Sequence, residues 1–244
     1  MAGKSLSCPH PAALERIRST LTRSTTMQRF LLALGLVVSP LALAQTDISH
    51  INEGIGTEVG ATYGTLKTVN GAIRLETGVT AGEVSTVNGS IQIADNVTLT
   101  SGKTVNGSLL VGENSAVETS LTSVNGRITL AAGTRVGESV EARNGSISAA
   151  HATIGGGVKS VNGDINLQGT TLGADLETTN GNIVIGRDSL VRGDVVVRKP
   201  SGFSAAKTRM PTVKIEAGAT VDGRLVFERE VKLEIDPAAN VKQP

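Results

Sequence analysis

The chain has 244 residues, with 23 basic and 22 acidic side chains and a net charge of +1. A balance this even leaves no electrostatic footprint for nucleic acid or for an anionic membrane surface. With no Trp, one Tyr and three Phe, a wide core filled by rings is excluded in favour of a narrow one of small β-branched side chains. The single cysteine, Cys8, excludes an internal disulfide framework and a cysteine metal cluster.

In chain order, residues 1–26 read as a polar extension ahead of the natural start, which falls at Met27. Residues 27–44 have the three parts of a secretory signal: Arg29, an apolar run from Phe30 to Val38, and Ala42-Leu43-Ala44 before Gln45. The run is too short to span a bilayer, so no transmembrane segment is expected after cleavage. The mature chain would begin near Gln45, free of cysteine, in the periplasm or the medium. Residues 45–56 read as a flexible start.

From 57 to 197 the chain repeats. Asn-Gly occurs at Asn70, Asn88, Asn106, Asn125, Asn144, Asn162 and Asn180, in steps of 18 or 19 residues. Asn52 lies one step upstream, a candidate degenerate first coil. A fixed step of this size means a stack of repeated units. Four positions before the Asn stand Leu66, Val84, Gly102, Leu121, Val140, Val158 and Leu176; two before it stand Thr, Ser or Ala. Three after it stand Ile73, Ile91, Leu109, Ile128, Ile147, Ile165 and Ile183. This period of two marks short strands with one buried face. Three such strands and three turns make one coil, so the fold class is all-β: a three-sided parallel β-helix (β-solenoid) with coils of about 18 residues. About ten coils at a strand spacing of about 4.8 Å give a rod on the order of 45 Å long.

At the corner, Asn-Gly suggests a backbone with positive φ, which Gly and Asn reach at least cost. The parity also predicts Asn side chains pointing inward as an amide ladder along the axis. The preceding column, Val69, Val87, Val105, Val124, Arg143, Val161 and Thr179, then faces out, and its valines form a candidate interaction stripe. The plainer reading of that stripe is β-propensity on a solvated sheet.

Regularity breaks at 198–211, a Pro- and Gly-marked excursion containing Phe203. Alternation resumes over 212–236, read as capping coils. There Val221-Asp222-Gly223-Arg224-Leu225 echoes the corner motif and puts Phe227 in an inward column. Residues 237–244 read as a disordered tail.

Coils of the type Val-Asn-Gly-x-Ile-x-Ile with Gly-rich corners resemble the bactofilins, bacterial proteins whose triangular β-helix polymerises end to end. They also resemble exported, adhesin-like repeat proteins. The resemblance covers about Thr57 to Val241 and rests on repeat pattern. The export signal and the recurrent corner Asn depart from a cytoplasmic bactofilin. Hexapeptide-repeat acyltransferases also have 18-residue coils, so their left-handed winding stays open beside the marginally preferred right-handed one.

Reactive groups do not cluster. His50 sits at the start, and His151 lies between strands near Arg143 and Gln168 without a nucleophile. Asp95, Glu113, Glu138, Asp164, Asp175 and Asp188 fall in different columns and make no glycosidase pair. Gly155-Gly156-Gly157 lacks the Lys-Ser/Thr of a phosphate loop. Catalytic, cofactor and metal residues are therefore not assigned. The expected role is a non-catalytic structural or interaction protein of the bacterial cell envelope, binding copies of itself or another envelope protein. The alternatives are a secreted adhesin or carbohydrate-binding module with a polysaccharide partner and, more remotely, a polysaccharide-acting enzyme.

Overall fold

A computed structural model of the chain describes residues 45–200 and 210–242. The expected signal 27–44, the segment before it with Cys8, and Phe203 lie outside those residues. Among the described residues no helix occurs, and every strand pairing is parallel. The expected β-solenoid is the fold: about ten coils, each about 18 residues further along the chain.

Three faces run the length of the stack. The first pairs 66–68, 84–86 and 102–104 with Leu121–Ser123, and continues to Leu225–Phe227. The second stacks ten strands from Ile55–Gly56 to Lys232–Ile235. The third runs from 80–81 through Ala116–Val117 to Asn240–Val241. Registers are one-to-one from coil to coil, so like residues fall on like: Ile91 on Ile73, Ile147 on Ile128, Ile183 on Ile165. Alternation turns these residues inward. Ile73, Ile91, Ile128, Ile147, Ile165 and Ile183 are wholly buried, each worth about 1.5–3 kcal/mol relative to exposure. Coil size varies at the corners. Strands Thr80–Asn88 and Thr98–Asn106 run unbroken from the third face into the first; from Ala116–Val117 and Leu121–Ser123 onward an extra residue opens that corner.

Two boundary expectations are corrected. The start is not flexible throughout, because Thr46–His50 pairs with Tyr63–Thr68 and Ile55–Gly56 pairs with Ile73–Leu75. The tail is not disordered throughout, because Asn240–Val241 continues the third face on Thr220–Val221. Asp236 Oδ1 accepts the Ala238 N–H at 2.9 Å, and that turn carries the chain past Pro237.

The echo at Asp222-Gly223 is also corrected. Leu225 pairs with Val195, and thus belongs to the column four before the Asn, not three after it. Asp222-Gly223 makes the third corner, not the Asn corner. All three corners of such a coil read as a small residue before alternating aliphatics, so a lone Asp-Gly does not say which corner it is. The excursion after Val197 occupies the Asn corner itself, and the second face resumes at Thr212–Ile215, 30 residues beyond its partner. Phe227 does point inward, stacked on Val197, but stays half-buried. The last coil covers the buried Val213 and Ile215 beneath it, but its own Leu233 and Ile235, inward by register, are 41% and 42% exposed.

Candidate functional site

The Asn corner forms a continuous amide ladder. Each Asn Nδ2 donates to the Oδ1 of the Asn one coil earlier. The run goes from Asn70 on Asn52 through Asn88, Asn106, Asn125, Asn144 and Asn162 to Asn180, with every bond at 2.7–2.8 Å. The inward orientation expected from parity is wrong. Asn70 to Asn162 are exposed and Asn180 is half-buried; Asn88 and Asn106 are the last residues of their strands, and the burial alternation breaks there, just before the corner.

Thr-Val-Asn-Gly divides its work among four residues. The Thr is buried, and its hydroxyl donates to the corner carbonyl of the coil before: Thr68 to Glu53 O at 2.7 Å, Thr86 to Gly71 O at 2.9 Å, Thr104 to Gly89 O at 3.0 Å. That satisfies two groups that would otherwise be lost to water. The Gly is required by close stacking. A Cβ on Gly89, Gly107 or Gly126 would run into the carbonyl of the glycine one coil earlier. Its φ is not positive, so the left-handed expectation fails here. The left-handed column lies at the next corner, between second and third faces: Gly60, Gly78, Asn96, Asn114, Gly133, His151, Gly169, Asp188 and Gly218. His151 is therefore an exposed corner residue with φ 50°, taking the place Gly or Asn takes elsewhere.

The ladder has an end piece that the motif search missed. Arg229 Nη1 donates to Asn180 Oδ1 at 3.1 Å and to Thr179 O at 3.3 Å. Arg229 stands four after Leu225, the register position of the ladder Asn. Counting from the correctly placed strand would have found it; the false Asp222 echo hid it.

Three of the acidic residues have structural partners. Asp95 Oδ1 accepts the Glu113 N–H at 2.7 Å, Asp164 that of Asn182 at 2.7 Å, and Asp175 that of Asp194 at 2.8 Å. Each ties down a corner of the next coil. Asp194 repeats the device on Arg224; that residue's backbone N–H, then its guanidinium, holds the Asp194 carboxyl below the usual range. Among the described residues no group of three or more His, Cys, Asp or Glu is placed to hold a metal ion.

The valine column lies on the first face beside the ladder. Val69 and Val87 are each 40% exposed, while Val105, Val124 and Val161 are half-buried. Further along, Glu177 meets Lys159 at 2.9 Å and Arg198 at 3.2 Å, and Arg198 also meets Glu228 at 2.7 Å. Burial pushes the Glu177 carboxyl up, but Lys159 and Arg198 outweigh it and leave the carboxyl below its ordinary value.

At the C-terminal end, Leu225, Phe227, Leu233, Ile235, Ala239 and Val241 line an open apolar depression. Asp236 and Lys242 also line it, and on the same strand as Leu233 and Ile235, Lys232 pairs with Glu234 at 2.7 Å.

No family model matches this chain, no curated protein matches it, and no solved structure matches it. Among the described residues no helix is long and apolar enough to cross a membrane.

Proposed function

We propose that this chain is a non-catalytic structural rod of the bacterial cell envelope, exported to the periplasm or the medium. It works by joining a second copy of itself, C-terminal end to C-terminal end. The observation that carries this reading is the open last coil, where inward columns end in Leu233 and Ile235 at 41% and 42% exposure. Burying them is favourable at roughly 25 cal/mol per Å² of apolar surface. The edge strand Lys232–Ile235, followed by Asp236, also leaves one side of its backbone unpaired. Two copies meeting antiparallel with Lys232 opposite Glu234 of the second copy set each Lys against a carboxylate. A two-fold contact of this kind closes on itself and yields dimers.

The test is mass photometry of the wild-type chain over a dilution series, beside the double variant Leu233→Asp with Ile235→Asp. Expected are dimers for the wild type and monomers for the variant, both with unchanged far-ultraviolet circular dichroism. Wild-type monomers at every concentration would end this reading. A second surface, the valine column, suits another envelope protein, supported by the 40% exposure of Val69 and Val87.

A further inference from the structure

Asn-Gly is the dipeptide most open to deamidation, because the unbranched Gly lets its backbone nitrogen reach the Asn side chain. The nitrogen attacks Cγ, ammonia leaves, and water opens the resulting cyclic imide to Asp or isoaspartate. This chain has seven such dipeptides, and six of their Asn side chains are exposed to solvent. We propose that all seven are latent deamidation sites kept unreactive by the ladder, and that Asn180-Gly181 is guarded at its open side by Arg229.

The hydrogen-bond pattern is what argues for this. In every Asn of an Asn-Gly pair, both amide atoms are engaged. Nδ2 donates to the coil before and Oδ1 accepts from the coil after, so rotation of the carboxamide towards Gly N breaks two bonds. At Asn180, where the ladder ends, Arg229 supplies the missing donor at 3.1 Å. At the other end, Asn52 Oδ1 accepts from Asn70, and among the described residues Asn52 has no earlier ladder residue. That residue is followed by Glu53, whose side chain hinders the attack. The ladder thus leaves an amide half-paired only where the following residue is not Gly. At three corners the nucleophile is held too: Gly163 N donates to Ser160 Oγ at 3.0 Å, Gly181 N to Thr178 Oγ1 at 3.2 Å, and Gly89 N to Asn106 O at 3.2 Å.

Conversion of one ladder Asn to Asp would remove a donor and set carboxylate against carbonyl oxygen. Each event would therefore weaken the pairing on both sides and expose the neighbouring amides.

The experiment is peptide mapping by mass spectrometry of the full chain incubated at mildly alkaline pH. Wild type is compared with Asn106→Ala, Arg229→Ala, and wild type held unfolded in guanidinium. The unfolded chain is expected to lose all seven amides while the folded one keeps them. Asn106→Ala frees Oδ1 of Asn88 and Nδ2 of Asn125. These two should deamidate about tenfold faster than in wild type, the equivalent of about 1.4 kcal/mol and close to one hydrogen bond. Asn70 and Asn144 should not change. Arg229→Ala should accelerate Asn180 alone. The proposal falls if folded wild type deamidates as fast as the unfolded chain. It also falls if Asn70 and Asn144 accelerate together with Asn88 and Asn125, since coil opening would then set the rate. Because the Asn106→Ala outcome is read in mid-stack, it stands even if Arg229→Ala loosens the last coils.

Discussion

Each letter of Thr-Val-Asn-Gly answers a different physical demand, and only the Thr is buried. Thr closes a carbonyl, Val lies on the sheet face, Asn bonds along the axis, and Gly lets two backbones pass close. Exposed hydrogen bonds still count when they are aligned and shared. Asn125 makes two ladder bonds, at 2.8 Å on each side, each worth about 0.5–1.5 kcal/mol net. Thr129 is a half-buried outward residue of the second face without such a pair. Asn125→Ala is therefore expected to cost about 1–2 kcal/mol, and Thr129→Ala no more than about 0.5 kcal/mol. Urea unfolding of the two variants measures both, and equal costs would remove the ladder from the stability of the rod.

A coil cannot bury its own inward face, so stability passes from coil to coil. Ile128 is wholly buried and stacked between Leu109 and Ile147. Ile128→Asp places a carboxylate in that column, and the expected result is loss of several adjacent coils. Hydrogen exchange would show it as deprotection spreading from 109–111 to 147–150, while deprotection confined to one coil would contradict the contiguous core. The C-terminal coils add an acid-sensitive tie. Against the opposing effect of burial, Lys159 and Arg198 hold the Glu177 carboxyl below its ordinary value. Its contribution is therefore complete above that value and lost as pH falls through the lower folded pKa. Melting temperature followed from about pH 6 to about pH 3 should fall less steeply for Glu177→Gln than for wild type. The two curves should converge at the acid end, where the wild-type carboxyl is also neutral. Parallel curves would mean that the Lys159–Glu177–Arg198 cluster adds nothing to folding.

At the scale of the whole molecule the stack is polar in direction and unlike at its two ends. The N-terminal edge has inward columns ending in His50 and Thr57, whereas the C-terminal edge ends in Phe227 and Ile235. In the proposed role, that difference would place self-association at one end and leave the long faces for other partners. Val105→Lys with Val124→Lys should leave melting and C-terminal dimerisation unchanged, because both side chains stand outside the core columns. It should weaken binding of any envelope partner that uses the first face. A drop in melting temperature comparable to a core substitution would show that the column packs structurally.

The sequence by itself determined the coil length, the strand periodicity and the identity of the inward columns. Those follow from a chemical pattern that repeats along the chain: aliphatic residues like Leu66, Ile73 and Leu75 recur in almost every coil, with Gly102 an exception, because every coil turns the same way. The ladder was legible as a column but not in its direction. At the last strand residue before a corner the alternation breaks, and the period of two no longer says where Asn88 or Asn106 points. Corner identity was not legible either. Small residues serve close approach at Gly89 and positive φ at Gly78 or Asn96, and the letters do not distinguish the two demands. Arg229 reaching Asn180 across the excursion, and Leu233 with Ile235 left uncovered, were decided only by tertiary structure. Both depend on which strand follows which in the stack, a relation between residues far apart in the chain that local pattern does not encode.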